Sequence, residues 1–347
     1  MMKEYHHYTK MKILFIVGCI VVMFFVMGYA ATIGSSNITI WEVYSDIFNH
    51  FLNPAAVDPM VDWVVFDVRL PRIMAGMIAG MSLGVAGAAM QSMMKNPLAD
   101  PYTTGISSGA SFGATLAIGL GMSFAGFGGS LGVILFAFVF SLVPAAVIIL
   151  VSSLRNTSAA TMILAGIAVM YLFNACTTLI KLGLSDASLS AVFQWSIGDL
   201  SQTTWNSCAV MVCFTIVGTI ILMMMSKKLN ILITGDKNAT ALGLDAHKLR
   251  IVLLVLISLM AASVVCFTGI IGFIGLVSPH IVRMFLGSDN RYLIPAAAVF
   301  GAVLLMVSDL VSRVIIAPTF LPVGVITAFI GGPIFLYLLV KQRKSMW

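Results

Sequence analysis

Apolar stretches of roughly 20 residues recur from one end of this chain to the other, and as helices such stretches cross the hydrocarbon core of a bilayer, about 30 Å thick. Hydrophobic residues make up 60% of the 347 positions and charged residues 9%, whereas soluble domains carry about 25% charge. A soluble globular domain is therefore excluded, and an all-α polytopic membrane protein is predicted. The net charge of +6 would suggest nucleic acid in a soluble protein. Here the basic residues cluster between apolar runs, where topology signals sit, and nucleic-acid binding is not supported. Cys19, Cys176, Cys208, Cys213 and Cys266 lie in apolar stretches without a CxxC pair, so they read as small core side chains and suggest neither a zinc site nor a disulfide framework.

Taken in order, a basic leader with Lys3, Lys10 and Lys12 precedes a first span from Ile13 to about Ile33. The competing reading is a cleaved signal peptide, whose apolar region normally runs only about 7 to 15 residues. Residues 34–68 hold Glu42, Asp46, Asp58, Asp62 and Asp67, with no lysine or arginine before Arg69, and read as an external loop. The second span opens at Arg69-Leu70-Pro71-Arg72 and carries Gly76, Gly80 and Gly84 at four-residue spacing, a small-xxx-small stripe that lets another helix approach closely. Lys95 to Pro101 forms a turn whose two prolines forbid a continuous helix. The third to sixth spans run over about 103–122, 131–154, 157–182 and 206–225, with Gly126 to Gly129 as a turn. Asn174, Thr177 and Thr178 in the fifth either face a polar pathway or bond across helices. The remaining spans begin near Arg250, Ile274 and Asp289, and after the Pro318 and Pro322 loop. Ten spans with both termini inside leave only Arg69, Arg72, Lys181 and Arg313 outside among 19 Lys and Arg, and that asymmetry sets the orientation.

The longest polar interruption of the second half is Lys227 to Arg250. Gly235 breaks it, Asp236 is placed to cap a short helix to Leu242, Gly243 to stop that helix, and Asp245 to cap the next. Two helices of about two turns each are marginal in water without packing. Leu229, Ile231, Leu232, Ile233, Ala239 and Leu242 offer an apolar surface for it. The charge asymmetry puts this segment in the cytoplasm, where it is either a docking surface for a soluble partner or a loop folded back on its own domain.

The chain has no GxxxxGK[ST], so energy must come from elsewhere. An ion-coupled carrier working alone needs ionisable residues deep in the membrane. Asp309 is the best candidate, yet it lies four residues before Arg313 and reads better as an i,i+4 pair. Gly105-Ile106-Ser107-Ser108-Gly109 matches GxSxG, with His280 as a conceivable base. The strand-turn-helix context that gives that motif its mechanics is missing, which makes an intramembrane serine hydrolase the weakest alternative. No His, Cys and acidic cluster has metal-ligand spacing.

Several motifs in one order resemble the FecCD-type (BtuC-like) permeases of ABC importers, which carry iron-siderophores, haem and cobalamin into bacteria and archaea. They are RLPR at 69–72, NPLADP at 96–101 with Gly105 and Gly109-Ala110, and W-x-x-G-D-L from Trp195 to Leu200. They continue with ALG at 241–243, GIIGFIGLVSPHIVR at 269–283, DNR at 289–291, Asp309 with Arg313, and LPVGVITAFIGGPIFLYLL at 321–339. The resemblance implies one transmembrane permease domain over 1–347 with a coupling segment at 227–250, while the leader 1–12, the external loop 34–68 and the tail 341–347 come from the chain's own charge pattern. It also implies a homodimer in a cell membrane, with two ATP-binding cassette subunits below that hold ATP and Mg, a solute-binding protein above, and no cofactor or catalytic residue in this chain. Its coupling helices fall on Leu229, Ile233, Gly235, Asp236, Ala239, Leu242 and Gly243. Arg69, Arg72 and Arg313 become docking residues for the binding protein, with interfacial snorkelling as the competing reading. The family's inner gate maps to Asn156, Thr157, Ser158 and Thr161, and its pathway to Asn174. Lys181 and the acidic 34–68 loop have no counterpart in the resemblance, and the cargo is left open.

Overall fold

The computed structural model describes residues 2–34, 38–53, 57–119, 121, 130–155, 159–316, 319 and 321–341. Among them every regular element is helical. In chain order these are α1 (Met2–Thr32), α2 (Ile40–Leu52), α3 (Pro59–Asp62), α4 (Leu70–Met94), α5 (Ile106–Gly119), α6 (Ser130–Arg155), α7 (Ala159–Lys181) and α8 (Asp186–Ser196). Then follow α9 (Trp205–Met224), α10 (Ser226–Ile233), α11 (Asp236–Ala241), α12 (Ala246–Thr268), α13 (Ile274–Leu286), α14 (Asn290–Val314) and α15 (Val323–Lys341). Seven helical stretches are long and apolar enough to cross a membrane, and two shorter apolar helices, Ile274–Leu286 and Val323–Tyr337, accompany them. With the 14-residue α5 they correspond to the spans the sequence predicts, and the chain is a multi-pass membrane protein.

Three stretches differ from the sequence reading. The basic leader is not separate, because α1 is already helical at Met2. The third span starts late: Pro101–Thr104 makes a single 3-10 turn, Gly105 follows at φ +90, and the α-helix begins only at Ile106. The 34–68 loop is largely helical, since Thr39 and Glu42 form a capping box on α2, Asp58 caps α3 by accepting from Met60 N, and a π-helical stretch, Trp63–Arg69, joins α3 to α4. The predicted Gly126–Gly129 turn lies outside the described residues.

α4 is the central element. The apolar window of Pro59–Met94 is 83% buried by protein, against 11% for that of Thr9–Thr32, so the first is wrapped by neighbours and the second faces outward. A helix apolar all round belongs in that position. Its glycines let α14 and α13 close in. A Cβ added at Gly80 or Gly84 would fall inside the contact distance of the Gly301 and Ala297 carbonyl oxygens, and one at Gly87 inside that of Gly275. Gly76 is looser, with Leu200 Cδ1 at 3.2 Å from such a Cβ. α12 and α9 cover the other flank of α4, and α1 packs on α14 from outside.

Candidate functional site

The segment between α9 and α12 folds back onto the membrane domain and exposes one edge. α10 sends Leu229 and Leu232 into the core at 0% exposure and leaves Lys227 and Lys228 outside. Ile233 is half-buried near its end. Gly235 then takes φ +119 and Gly243 φ +76, backbone angles that favour glycine, so these two residues bound α11 as expected. Ala239 is buried, while Leu242 is 68% exposed and forms the apolar tip.

Two polar latches hold this segment. In the first, Asn230 of α10 donates to Asp289 Oδ1 at 2.7 Å and accepts from the Asn290 backbone N–H at 2.8 Å and Nδ2 at 2.9 Å. Asn290 in turn accepts from Ser92 Oγ of α4 at 2.8 Å. In the second, the Arg250 guanidinium forks onto Asp236 at 2.9 and 2.6 Å, and Lys95 Nζ reaches Asp236 Oδ1 at 2.8 Å. Such charge-assisted bonds are the strong class of hydrogen bond. Asp236 is therefore not the N-cap that the sequence suggests. Gly235, with no side chain to cap with, holds that position, and the Asp236 carboxylate is drawn to two cations, Lys95 at the C-cap of α4 and Arg250 of α12. The Arg250 fork, with Lys95 second, holds its carboxyl well below the usual carboxylate range. Asp245 does cap α12, accepting from Lys248 N at 3.0 Å. A groove of about 640 Å³ opens beside the second latch, lined in part by Thr240, Gly243, Leu244 and His247.

At the opposite end, the three arginines assigned to docking are buried, at 3% for Arg69, 6% for Arg72 and 5% for Arg313. Asp309 bridges two of them: Arg72 Nε reaches Oδ1 at 2.9 Å and Arg313 Nε reaches Oδ2 at 2.9 Å. The predicted i,i+4 pair is thus present, with a second cation added from α4. Arg69 Nη1 donates to Ala31 O at 2.9 Å, and Arg313 Nη1 to Ala30 O at 3.3 Å and Ile33 O at 3.4 Å. These carbonyls close α1, and basic groups at a helix C-terminus satisfy both its orphan acceptors and its dipole. All three are buried, and each makes polar contacts within the chain.

Of the gate candidates, Asn156, Thr157 and Ser158 lie outside the described residues. Thr161 is half-buried on α7, and Asn174 is exposed on the same helix, its carbonyl accepting from Thr178 Oγ1 at 2.9 Å. Ser108 of the GxSxG decoy donates to Gly105 O at 2.8 Å, and among the described residues His280 Nε2 has no hydrogen-bond partner, Ser107 included. The described residues contain no group of three His, Cys, Asp or Glu placed to hold a metal ion. Sequence reasoning missed Asn230, Lys95 and Asp289 as anchors, because their partners lie 59 to 141 residues away.

Comparison with known proteins follows this geometry. An ABC transporter permease protein of Methanocaldococcus jannaschii is 40% identical across 99% of each chain. The hemin transport system permease HmuU of Yersinia pestis is 36% identical over 60% of this chain and 63% of its own, and the vitamin B12 import permease BtuC of Vibrio parahaemolyticus 34% over 63% and 70%. Among solved structures, a metal-chelate type ABC transporter in an inward-facing conformation superposes with TM-score 0.81 at 28% identity, covering 94% of this chain and 99% of that one. A family model matches residues 14–341, nearly the whole chain, and by that match the chain belongs to the FecCD transport family.

Proposed function

We propose that this chain is the membrane-spanning permease subunit of an ATP-driven importer of metal chelates, a transport subunit that hydrolyses nothing itself. Two copies form the pathway along their shared axis. Two ATP-binding cassette subunits, holding ATP and Mg, sit on the cytoplasmic side with both chain termini, and a solute-binding protein delivers cargo from outside. The observation that carries this reading is the segment from α10 to α11. It offers Leu242 and the exposed residues around it to a partner, while Asp236 and Asn230 tie it to α4, α12 and α14. A push on that tip is transmitted to membrane-spanning helices instead of bending a loose loop.

In this reading, ATP-driven closure of the cassette dimer displaces α10 and α11, and the attached spans alternate between outward and inward openings. An iron-siderophore is the first cargo to test. Haem and cobalamin stand beside it, since relatives are named for hemin, vitamin B12 and Fe(3+)-citrate import. The test is reconstitution in liposomes with the cassette and binding-protein subunits, measuring uptake of ferric siderophore, haem and cobalamin with and without ATP. ATP-dependent uptake of one of them is the expected result. Uptake driven by an ion gradient without the cassette subunit would return the chain to the class of stand-alone carriers.

A further inference from the structure

Between α2 and α3 lies a cleft of about 200 Å³, walled by three carboxylates and three apolar side chains. Two of the carboxylates serve helix starts. Glu42 Oε2 accepts from the Thr39 backbone N–H at 2.7 Å and hydroxyl at 2.8 Å, and Asp58 Oδ1 accepts from Met60 N at 2.8 Å. Asp46 serves nothing comparable. It is only 5% exposed, it lines the cleft, and its Oδ2 has no hydrogen-bond partner among the described residues.

A buried carboxylate oxygen without a donor is unfavourable, so the position calls for a donor from outside the described fold. Ser45 and Asn49 line the same cleft but bond each other, Asn49 Nδ2 donating to Ser45 Oγ at 3.1 Å, and no lysine or arginine stands between Lys12 and Arg69. Arg69 is engaged with Ala31 O, and His50 Nδ1 is paired with Asp62 Oδ1 at 2.5 Å. The described residues also lack the three-ligand grouping that a metal ion would need. What fits is a cation bringing its own N–H donors on an apolar stem. Val57 and Val61 line a wall for methylenes, and Trp41, 82% exposed, adds an aromatic ring to the lining.

We propose that this cleft receives a lysine or arginine side chain of an extracytoplasmic protein docked on the outer face, its ammonium or guanidinium group meeting Asp46 Oδ2 between Glu42 and Asp58. The docked protein in this inference is the binding protein of the importer reading, on which it rests. Electrostatic matching of this kind sets register and encounter rate more than affinity.

The chemistry of the cleft is tested apart from the partner. The full chain in lipid nanodiscs is titrated with n-butylammonium, n-butylguanidinium and, as uncharged control, n-butanol, followed by saturation-transfer NMR of the butyl protons. Saturable binding of the two cations and not of the alcohol is expected, weakened about tenfold in Asp46→Asn. Asp58→Asn, which keeps its helix cap, weakens it less. Equal binding to wild type and Asp46→Asn, or full displacement by equimolar magnesium chloride, overturns the site. With the reconstituted binding protein, Asp46→Lys lowers docking affinity about tenfold while basal ATP hydrolysis of the permease-cassette complex stays unchanged. Undiminished docking overturns the proposed occupant. Failure of wild type to bind any cassette or binding protein sinks the importer reading instead, and leaves the butylammonium result standing.

Discussion

Replacing Asp236 by asparagine removes the charge that holds the segment of α10 and α11 to the membrane-spanning helices. The Arg250 side chain is 4% exposed and, among the described residues, keeps the Met93 carbonyl at 3.4 Å as its acceptor once the fork is lost. Breaking a fully buried pair costs about 3 to 5 kcal/mol, and an exposed pair is worth about 0.2 to 1 kcal/mol. Asp236 is 47% exposed against a buried partner, which places the loss between those limits, at about 2 kcal/mol. The latch closes α11 and its glycine hinges, so the loss appears as local opening and not as global unfolding. Amide exchange over residues 236–245 should then quicken about 30-fold. Hydrogen exchange with mass spectrometry on the chain in nanodiscs measures this directly. Lys95→Gln serves as a graded comparison: its side chain is 29% exposed and contributes a single contact, so about threefold faster exchange is expected. Unchanged exchange in Asp236→Asn, or a larger effect from Lys95→Gln, would refute the assignment of Arg250 and Asp236 as the principal tie.

Three further outcomes follow from the same contacts. Asp309→Asn removes the carboxylate that two buried guanidinium groups share and should cost about 3 to 5 kcal/mol. Thermal unfolding in detergent would show the fall, and Arg72→Met in the same chain should recover part of it. Gly84→Val places a side chain against the Ala297 carbonyl and should lower the melting temperature through overpacking of about 1 to 3 kcal/mol or more. Gly18→Ala, with nothing within 4 Å, should leave it unchanged or slightly raised. The Asp236 carboxyl is held well below the usual range by Arg250 and then Lys95. Asp289 sits at about 2, where burial raises it but hydrogen bonds from Arg291 and Asn230 more than offset that. A depressed folded pKa stabilises above the unfolded value of about 3.9 and is lost as pH falls through the folded one. Protease protection of residues 227–250 should therefore be flat from about pH 8 to pH 5 and fail only below about pH 4.

What the sequence discloses here is what depends on neighbours along the chain. Span positions, the glycine boundaries of α11, the Asp245 cap and the Asp309–Arg313 pair all involve residues within a few positions of one another, and each is present. Helix α2 was equally legible through Thr39 and Glu42, three apart, but its acidic surroundings suggested a loop. The roles of Asp236, Asn230 and Arg72 were not legible, because a carboxylate that caps a helix in isolation turns to a buried guanidinium when the fold supplies one. The docking arginines show the same override. Charge counting puts them outside, and only the packing of α1 against α4 and α14 shows that their donors close a helix end.

These contacts also make α4 and α14 a single mechanical unit. Ser92 and Asn290 join them at one end, and Arg72 and Asp309 join them at the other. Between those points, Gly80 lies against Gly301 and Gly84 against Ala297, with no side chain separating the backbones. A sliding motion of one residue would drive a side chain into a carbonyl at these crossings, and close-packed interfaces of this kind move between discrete arrangements instead of deforming smoothly. Displacement of α10 enters the pair through Asn230 and Asn290, 2.8 Å apart at the backbone N–H. The other end of the pair is at Asp309, where Arg72 and Arg313 meet and Arg313 holds the end of α1. The 227–250 segment and the arginine cluster, read from sequence as two separate docking sites, are thus attached to the two ends of one pair of helices.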